Sequence, residues 1–172
     1  MLKNFDTQFF SFLNSYVHKW PVLDQILLYA NEYGLYVFAV LAALYFFSNR
    51  AIFWRIAIAV ALGRGLITEG IRYFYHRPRP FVNEQLENVR QMIDKNVVND
   101  SFPSGHAAFY FSLAFAVYFY SPTTGKILLG VAIVLSLARV YFGVHYPSDI
   151  LGGAIVGLAS AWIADKIVSS RE

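Results

Sequence analysis

The stretch NDSFPSGHAAFYFSLAFAVYFY, residues 99–120, changes from polar to apolar at one point. A polar turn, Pro103-Ser104-Gly105-His106, opens directly onto an almost wholly apolar run that continues to Tyr120. An apolar run of this length predicts a helix, and a Pro-Ser-Gly turn before it is typical of a helix start. The stretch therefore places a titratable histidine at the mouth of an apolar helix, an arrangement that needs an explanation.

The composition of the whole chain predicts that this helix belongs to an integral membrane protein. Apolar residues make up 57% of the 172 residues and charged residues only 15%, whereas soluble proteins average roughly half apolar and a quarter charged. The chain has no cysteine, which excludes disulfides and thiolate metal sites. The net charge of +3 is small and is not patterned as a basic arm, so no nucleic-acid partner is expected. The expected partner is the lipid bilayer.

Apolar segments on both sides of the opening stretch predict an all-α fold. The expected architecture is a polytopic membrane helical bundle with about five transmembrane helices and an N-terminal interfacial helix, in a single domain of residues 1–172. The interfacial helix is expected over residues 1–20 and ends at Trp20-Pro21. The five spans are expected over residues 22–47, 51–75, 105–120, 126–142 and 150–168.

Small residues recur at four-residue spacing in the last of these spans, at Gly153, Gly157 and Ala161. Small residues at this spacing let two helix backbones approach closely in lipid. We interpret them as packing residues.

The alternation of the spans places the loop over residues 77–102 and the turn over residues 144–148 on one membrane face. The opposite face carries an excess of lysine and arginine, which is typical of the cytoplasmic side. The loop face is therefore expected to be extracytoplasmic, in a multi-pass protein of the cell membrane. Within the loop, Leu86, Val89, Ile93 and Val97 predict a short amphipathic lid helix.

Candidate functional residues gather where three stretches reach that face. The second span ends GIRYFYHRPRPF, the third begins PSGH, and the fourth ends LARVYFGVHYPSD. Arginine offers a planar fork of donors that matches phosphate oxygens, and the first turn of a helix has free N–H groups that favour phosphate. The pattern predicts a site for a multiply charged oxyanion, built from Arg72, Arg79, Ser104, Gly105 and Arg139.

Two histidines and an aspartate add chemistry that arginines lack. A histidine can act as a nucleophile or a general acid near neutral pH. Asp149 follows His145 by four residues and can hold its second ring nitrogen, while His106 stands at the helix mouth. Each feature alone has a plainer interpretation, since arginines at helix ends commonly reach for lipid headgroups. The conjunction of three stretches on one face favours a functional site.

These stretches resemble the motifs of the type-2 phosphatidic acid phosphatase superfamily, which shares its site with vanadium haloperoxidases. The family motifs are Lys-x6-Arg-Pro, Pro-Ser-Gly-His and Ser-Arg-x5-His-x3-Asp. This chain has Arg72-x6-Arg79-Pro80, Pro103-Ser104-Gly105-His106 and Ala138-Arg139-x5-His145-x3-Asp149. The resemblance covers about residues 50–165. Arg72 replaces the family lysine and Ala138 the family serine, so the positive charge is kept and one hydroxyl donor is lost.

The resemblance implies a mechanism without a metal ion or other cofactor. His145 attacks phosphorus and forms a phosphohistidine, Asp149 orients His145, and His106 protonates the leaving oxygen and later activates water. The residues implied to hold the phosphoryl oxygens are Arg72, Arg79, Arg139, Ser104 and Gly105. His76 as an alternative acid and Glu69 as a partner of Arg72 are weaker candidates, and we expect a structural role for Glu69.

The small size, the interfacial helix and the opening sequence are similar to bacterial undecaprenyl-diphosphate phosphatases, which recycle the carrier lipid for cell-wall synthesis. The implied reaction is hydrolysis of undecaprenyl diphosphate to undecaprenyl phosphate. A phosphatidate or phosphatidylglycerophosphate phosphatase is the alternative within this chemistry, so the substrate is an isoprenoid or glycerolipid phosphate. The alternative from another class is a non-catalytic transporter with an arginine-lined anion site. The sequence leaves the oligomeric state open.

Overall fold

The computed structural model of the chain describes residues 2–86, 88–93 and 99–170. The fold of these residues is all-α, as the sequence predicts, and they contain no β-strand. The helices are α1 (Leu2–Asn14), α2 (Pro21–Ser48), α3 (Arg50–Val60), α4 (Thr68–Phe74), α5 (Gly105–Tyr120), α6 (Pro122–Tyr141) and α7 (Pro147–Ser169). Proline opens α2, α6 and α7, where the absent N–H would have had no partner within the helix.

A π-helical segment, Ala61–Ile67, joins α3 to α4 without a break. Its hydrogen bonds reach five residues back, and the N–H of Thr68 accordingly donates to the carbonyl oxygen of Gly63. The Thr68 hydroxyl donates to the same oxygen at 2.7 Å. The helix from Arg50 to Phe74 is therefore continuous but wider around its middle, and the sequence did not predict this feature.

Three helical segments in the described ranges are long and apolar enough to cross a membrane, namely Arg50–Phe74, Pro122–Tyr141 and Pro147–Ser169. The structure thus supports a membrane protein, while the count of five spans stays a prediction. Helix α5 has 16 residues, and most of them are buried. Because α3, α6 and α7 pack around it, α5 meets protein over most of its surface.

Glycines bring α5 and α7 into close contact. A Cβ atom on Gly153 would lie 2.6 Å from Ala107 Cβ, and one on Gly157 would lie 2.6 Å from Phe111 Cβ and 2.7 Å from the Ser112 backbone nitrogen. Real Cβ atoms do not approach so closely. The four-residue spacing therefore serves backbone packing, as predicted, and it holds the first turns of α5 and α7 side by side.

Two predictions need correction, the end of the N-terminal helix and the helix in the loop. Helix α1 ends at Asn14 rather than at Trp20-Pro21, because residues 15–19 form turns in which His18 adopts a positive φ of 68°. In the loop, residues 83–86 and 88–93 form turns and irregular backbone rather than helix. The rest of the predicted lid helix, including Val97, lies outside the described residues.

The end of the bundle opposite the loop carries a partly buried ion pair between α3 and α7. Arg55 Nε lies 3.0 Å from Asp165 Oδ1, and Arg55 Nη2 donates to the Ser169 hydroxyl at 3.1 Å. Charges inside a helical bundle are expensive unless they are paired. This pair explains why Arg55 is buried. The candidate site is therefore at the opposite end of the bundle, where the arginines of the motifs lie.

The glycine contacts predict a difference between two substitutions of the same kind. Gly157→Ala forces α5 and α7 apart and is expected to cost about 1–3 kcal/mol, the usual range for overpacking. Gly130→Ala in α6 meets open space and is expected to be neutral or stabilising. Thermal unfolding in detergent measures both, and an equal effect of the two substitutions would contradict the packing argument.

Candidate active site

The loop after α4 and the turn before α7 meet at one end of the bundle, beside the start of α5. Arg79 Nη1 donates to the Val144 carbonyl oxygen at 2.8 Å, which ties the loop to the turn. The Ser104 backbone N–H donates to the Asp149 carbonyl oxygen at 3.0 Å, which ties the start of α5 to the start of α7. The three stretches singled out in the sequence therefore come together in space.

His145 and Asp149 lie at the centre of this region and are both buried. His145 Nδ1 is 3.4 Å from Asp149 Oδ2, and His145 Nε2 is 3.1 Å from Arg79 Nη1. A guanidinium group can only donate, so Nε2 is the accepting nitrogen and Nδ1 carries the proton. The tautomer inferred in this way leaves an electron pair on Nε2, directed towards Arg79.

His145 is neutral because it is buried. Burial lowers the pKa of His145 to about 4, the hydrogen bond and charge of Asp149 oppose that change, and the nearby Arg79 and Arg139 add to it. An exposed histidine has a pKa of about 6.5. The ring therefore keeps its electron pair at neutral pH, as a nucleophile or a base requires.

Arg79 is held in place by backbone carbonyl groups on both sides. In addition to Val144, it donates through Nη2 to the Asp100 carbonyl oxygen at 2.9 Å. Burial and the neighbouring Arg72 lower the pKa of Arg79, while the charges of Asp149 and Asp100 oppose them. Arg79 is thus a fixed cation directly against the Nε2 atom of His145.

Among the arginines that the structure describes, Arg72 and Arg139 have buried donors without a protein partner. Arg139 is 3% exposed, and its Nε and Nη2 atoms make no hydrogen bond within the described residues. Arg72 donates through Nη2 to the Pro103 carbonyl oxygen at 2.9 Å, but its Nε atom is buried and has no partner in that same part of the chain. Unsatisfied buried donors are costly and rare. The three unsatisfied donor atoms on Arg72 and Arg139 fit an anion-binding site.

The start of α5 supplies the remaining predicted residues. Ser104 is buried and caps the helix, with its hydroxyl oxygen accepting from the Ala107 N–H at 3.4 Å. Gly105 is the first helical residue, and the side chain of Arg64 lies against it. The ring of His106 is partly buried, with its centroid 6.2 Å from that of Tyr110. The helix start is as the sequence predicts, while the phosphate cradle at this terminus stays a prediction.

The two weaker candidates lie in different places. His76 is on the surface, with its side chain 65% exposed and its Nδ1 atom 3.7 Å from Asp100 Oδ1. It lines an open cavity of about 910 Å³ together with Asp6, Arg77 and Tyr146. Glu69 lies instead beside Arg72, at 3.3 Å, and also pairs with Arg64. No group of three or more histidine or acidic side chains suited to a metal ion occurs in the described ranges.

A second set of contacts around Asp149 was not predicted from the sequence. Arg77 Nη1 donates to Asp149 Oδ1 at 2.6 Å, and Arg77 Nη2 donates to Asp6 Oδ2 at 2.8 Å. Asp6 Oδ1 also accepts from the Ser148 N–H at 2.9 Å. The N-terminal helix is therefore connected to His145 through Asp6, Arg77 and Asp149, which together form an ion-pair chain.

One sequence signal was available for Asp6. Asp6, Phe10 and Asn14 recur at four-residue spacing on α1, and all three are buried. A polar residue at helical spacing with a buried aromatic residue belongs to the packed face and needs a partner there. The identity of that partner could not be inferred, because Arg77 and Ser148 are distant in sequence.

Comparison with known proteins places this arrangement in a family. The sequence model of the PAP2 superfamily matches residues 51–171. The bacitracin transport permease protein BcrC of Bacillus licheniformis is 32% identical over 92% of this chain and 80% of its own length. The putative undecaprenyl-diphosphatase YbjG of Escherichia coli K12 is 30% identical over 97% of this chain and 84% of its own. The crystal structure of Aquifex aeolicus LpxE superposes with a TM-score of 0.82 at 26% identity, covering 94% of this chain and 95% of that one.

The burial of His145 predicts its charge at acidic pH. At a pH of about 5.5 the folded protein should hold a neutral His145 ring, since the pKa is near 4 rather than 6.5. As the pH falls through this window, the unfolded chain binds a proton that the folded chain excludes, so the free energy of unfolding decreases. Ring-labelled histidine NMR, with His145→Gln assigning the signal, measures the charge. A charged ring at that pH would contradict the burial argument.

Proposed function

This chain belongs to the PAP2 superfamily, and from that premise we propose that it is a membrane lipid phosphatase acting on undecaprenyl diphosphate. The products are undecaprenyl phosphate and inorganic phosphate. The observation that carries the chemistry is the neutral His145 ring, which is hydrogen-bonded to Asp149 and contacts Arg79, with Arg139 and its unsatisfied donors nearby. The similarity to an E. coli relative named as a putative undecaprenyl-diphosphatase supports the choice of substrate.

The proposed reaction begins with His145. Its Nε2 atom attacks the terminal phosphorus, and the bond from phosphorus to the bridging oxygen breaks. The bridging oxygen leaves with the lipid phosphate and takes a proton from His106. Asp149 keeps the Nδ1 proton in place and stabilises the positive charge that develops on the ring. A phosphohistidine results.

The second half-reaction restores the enzyme. His106 now removes a proton from a water molecule, the water oxygen attacks phosphorus, and the bond between phosphorus and Nε2 breaks. Inorganic phosphate leaves, and His145 recovers its electron pair while His106 has regained its proton. The chemistry needs no metal ion, because arginines supply the positive charge that the transition state requires.

The arginines hold the phosphoryl group during both steps. Arg139 directs unpaired donors from α6, and Arg72 does so from α4, while Arg79 lies against the attacking nitrogen. A phosphoryl oxygen that accepts from Arg79 draws its Nη1 atom away from Nε2 and exposes the electron pair. Ser104 and the Gly105 N–H complete the cradle at the start of α5. Binding of the phosphoryl group to Arg79 therefore also activates the His145 nucleophile.

The two departures from the family motifs are compatible with this role. Arg72 replaces a lysine, keeps the charge and reaches the Pro103 carbonyl oxygen. Ala138 replaces a serine and is buried, so the hydroxyl donor that it lacks is absent from the cradle. One lost neutral donor is expected to weaken phosphate binding by about 0.5–1.5 kcal/mol.

The membrane placement is part of the proposal. Five spans would place the site at the extracytoplasmic surface, with α1 in the interface, where the headgroup of a long isoprenoid lipid is accessible. A glycerolipid phosphate is the second candidate substrate, because the proposed residues contact only the phosphoryl group. One relative carries the name of a transport permease. A transporter would need the arginines but not the His145–Asp149 pair, which separates it from an enzyme.

Removal of the nucleophile gives the most direct test of the activity. His145→Ala is expected to lower the release of phosphate from undecaprenyl diphosphate at least about a thousandfold, since no other group replaces a covalent nucleophile. The assay uses the purified chain in detergent with EDTA, and the wild type is expected to stay active there. If the wild type hydrolyses phosphatidate but not undecaprenyl diphosphate, the proposed substrate is wrong and a glycerolipid phosphate replaces it. Loss of wild-type activity with EDTA would contradict the metal-free mechanism.

The ion-pair chain from α1 predicts a positioning role for Asp6. Asp6→Asn removes the charge that holds Arg77 against Asp149 and is expected to lower kcat about 10- to 100-fold with little change in KM, because His145 is displaced slightly. Asp24→Asn is the matched control. Asp24 is also buried and holds the N-terminal segment, by accepting from the His18 N–H and the Tyr141 hydroxyl.

The control separates positioning from general stability. Both substitutions are expected to lower the unfolding temperature, whereas only Asp6→Asn is expected to change kcat by more than about twofold. Steady-state kinetics and thermal unfolding measure the two effects. Equal losses of kcat in the two variants would show that Asp6 acts only through stability.

A further inference from the structure

The π-helical segment places a charged cluster beside the candidate site. In an α-helix, residues five apart point in different directions, but hydrogen bonds that reach five residues back bring them onto one side. Arg64 lies within this segment, and Glu69 follows it by five residues. Their side chains form an ion pair, and Glu69 Oε1 also lies 3.3 Å from Arg72 Nη1. The widened helix thus aligns Arg64, Glu69 and Arg72, which we call the charged cluster.

The charged cluster adjoins the phosphate cradle. A Cβ atom on Gly105 would lie 2.8 Å from Arg64 Nε and 3.1 Å from Arg64 Cζ, so the guanidinium group lies directly against the first residue of α5. Arg72 contacts the same terminus through the Pro103 carbonyl oxygen. Glycine at position 105 therefore gives Arg64 room to reach the cradle, and Arg64 becomes a fourth guanidinium beside Arg72, Arg79 and Arg139.

Two members of the cluster, Arg64 and Glu69, are open, whereas the side chain of Arg72 is only 12% exposed. The side chains of Arg64 and Glu69 are 41% and 51% exposed, in a helical segment that is long and apolar enough to cross a membrane. Charges in such a segment are expensive, and they commonly mark a substrate pathway. Arg55 of the same helical segment shows the closed alternative, since its side chain is only 8% exposed and pairs with Asp165 of α7. The Arg64–Glu69 side of the cluster is therefore accessible to a ligand.

The position of Glu69 indicates the chemistry of that ligand. A single carboxylate oxygen lies between the guanidinium groups of Arg64 and Arg72. Arginine forks bind carboxylate and phosphate oxygens in the same manner. Glu69 therefore occupies the place that a phosphate group would take between the two arginines.

We propose that Arg64 binds the second phosphate of a lipid diphosphate, the one that stays on the lipid, and that Glu69 is the internal anion which this phosphate displaces. The inference rests on the proposed function and adds the selection of diphosphate over monophosphate. The terminal phosphate lies among Arg72, Arg79 and Arg139, against His145. The second phosphate lies between Arg64 and Arg72, towards the middle of the span, which is the direction of the lipid chain. A lipid monophosphate makes no contact with Arg64 and leaves Glu69 in place.

The test compares an isoprenyl diphosphate with the isoprenyl monophosphate of the same chain length, using the full chain in detergent. Arg64→Gln is expected to raise KM for the diphosphate about tenfold, the loss of one charged hydrogen-bonded contact, and to change KM for the monophosphate by less than about twofold. Glu69→Gln is expected to lower KM for the diphosphate, because no charged group has to be displaced. Arg64→Lys keeps the charge without the fork and is expected to fall between the wild type and Arg64→Gln.

Arg50→Gln is the matched control, since Arg50 begins α3 at the other end of the same helical segment. Arg50→Gln is expected to leave KM unchanged for both the diphosphate and the monophosphate. If Arg64→Gln lowers the activity on both substrates in equal proportion, or if Glu69→Gln raises KM for the diphosphate, the cluster is structural and the proposal is overturned while the phosphatase function stands. If the wild type hydrolyses neither substrate, the function and the inference both fail.

Discussion

The buried carboxylate of Asp149 is the interaction on which the rest of the site depends. It accepts from Arg77, from the Ser101 hydroxyl and from the Tyr146 backbone N–H, and it lies beside His145 Nδ1. A buried carboxylate is costly unless its oxygens are satisfied. Its partners come from the loop after α4, which supplies Arg77 and Ser101, and from the turn before α7, which supplies His145 and Tyr146. The cost of burying Asp149 is therefore offset only when these segments are assembled around His145.

The packing of the bundle imposes the same geometry. Gly153 and Gly157 let α7 approach α5 so closely that Ser104 donates to the carbonyl oxygen of Asp149. The start of α5 and the histidine before α7 are thereby fixed relative to each other. The close approach of α5 and α7 thus determines both the backbone contact between them and the relative positions of the candidate site residues.

The sequence predicts the parts of this arrangement that depend on spacing along one segment. The i, i+4 relation of His145 and Asp149, the cap at Ser104 and the small residues of α7 can be recognised in this way. The convergence of Arg79 with His145 follows from alternating helix direction. These features need no knowledge of distant contacts, which is why a linear pattern is sufficient for them.

The features that the sequence does not predict depend on contacts between distant segments or on small differences in backbone energy. Asp6 meets Arg77 and Ser148 only after α1 has packed against the bundle. The π-helical segment has no strong local signature, and Arg64, which lies against Gly105, is part of it. The early end of α1 at Asn14 depends on turns in residues 15–19, where Asp24 accepts from the His18 N–H. The predicted lid helix was based on apolar spacing alone, and its described part forms turns.

The central claim is that the Nε2 atom of His145 carries the phosphoryl group between the two half-reactions. The most direct measurement is rapid mixing of the enzyme with lipid diphosphate, quenching under alkaline conditions that preserve phosphohistidine, and mass spectrometry of the peptide that contains His145. The account predicts a phosphoryl group on His145, and more of it in His106→Ala supplied with a substrate whose leaving group needs no proton. A phosphoryl group on another residue, or turnover of these substrates without any phosphorylated enzyme, would contradict it.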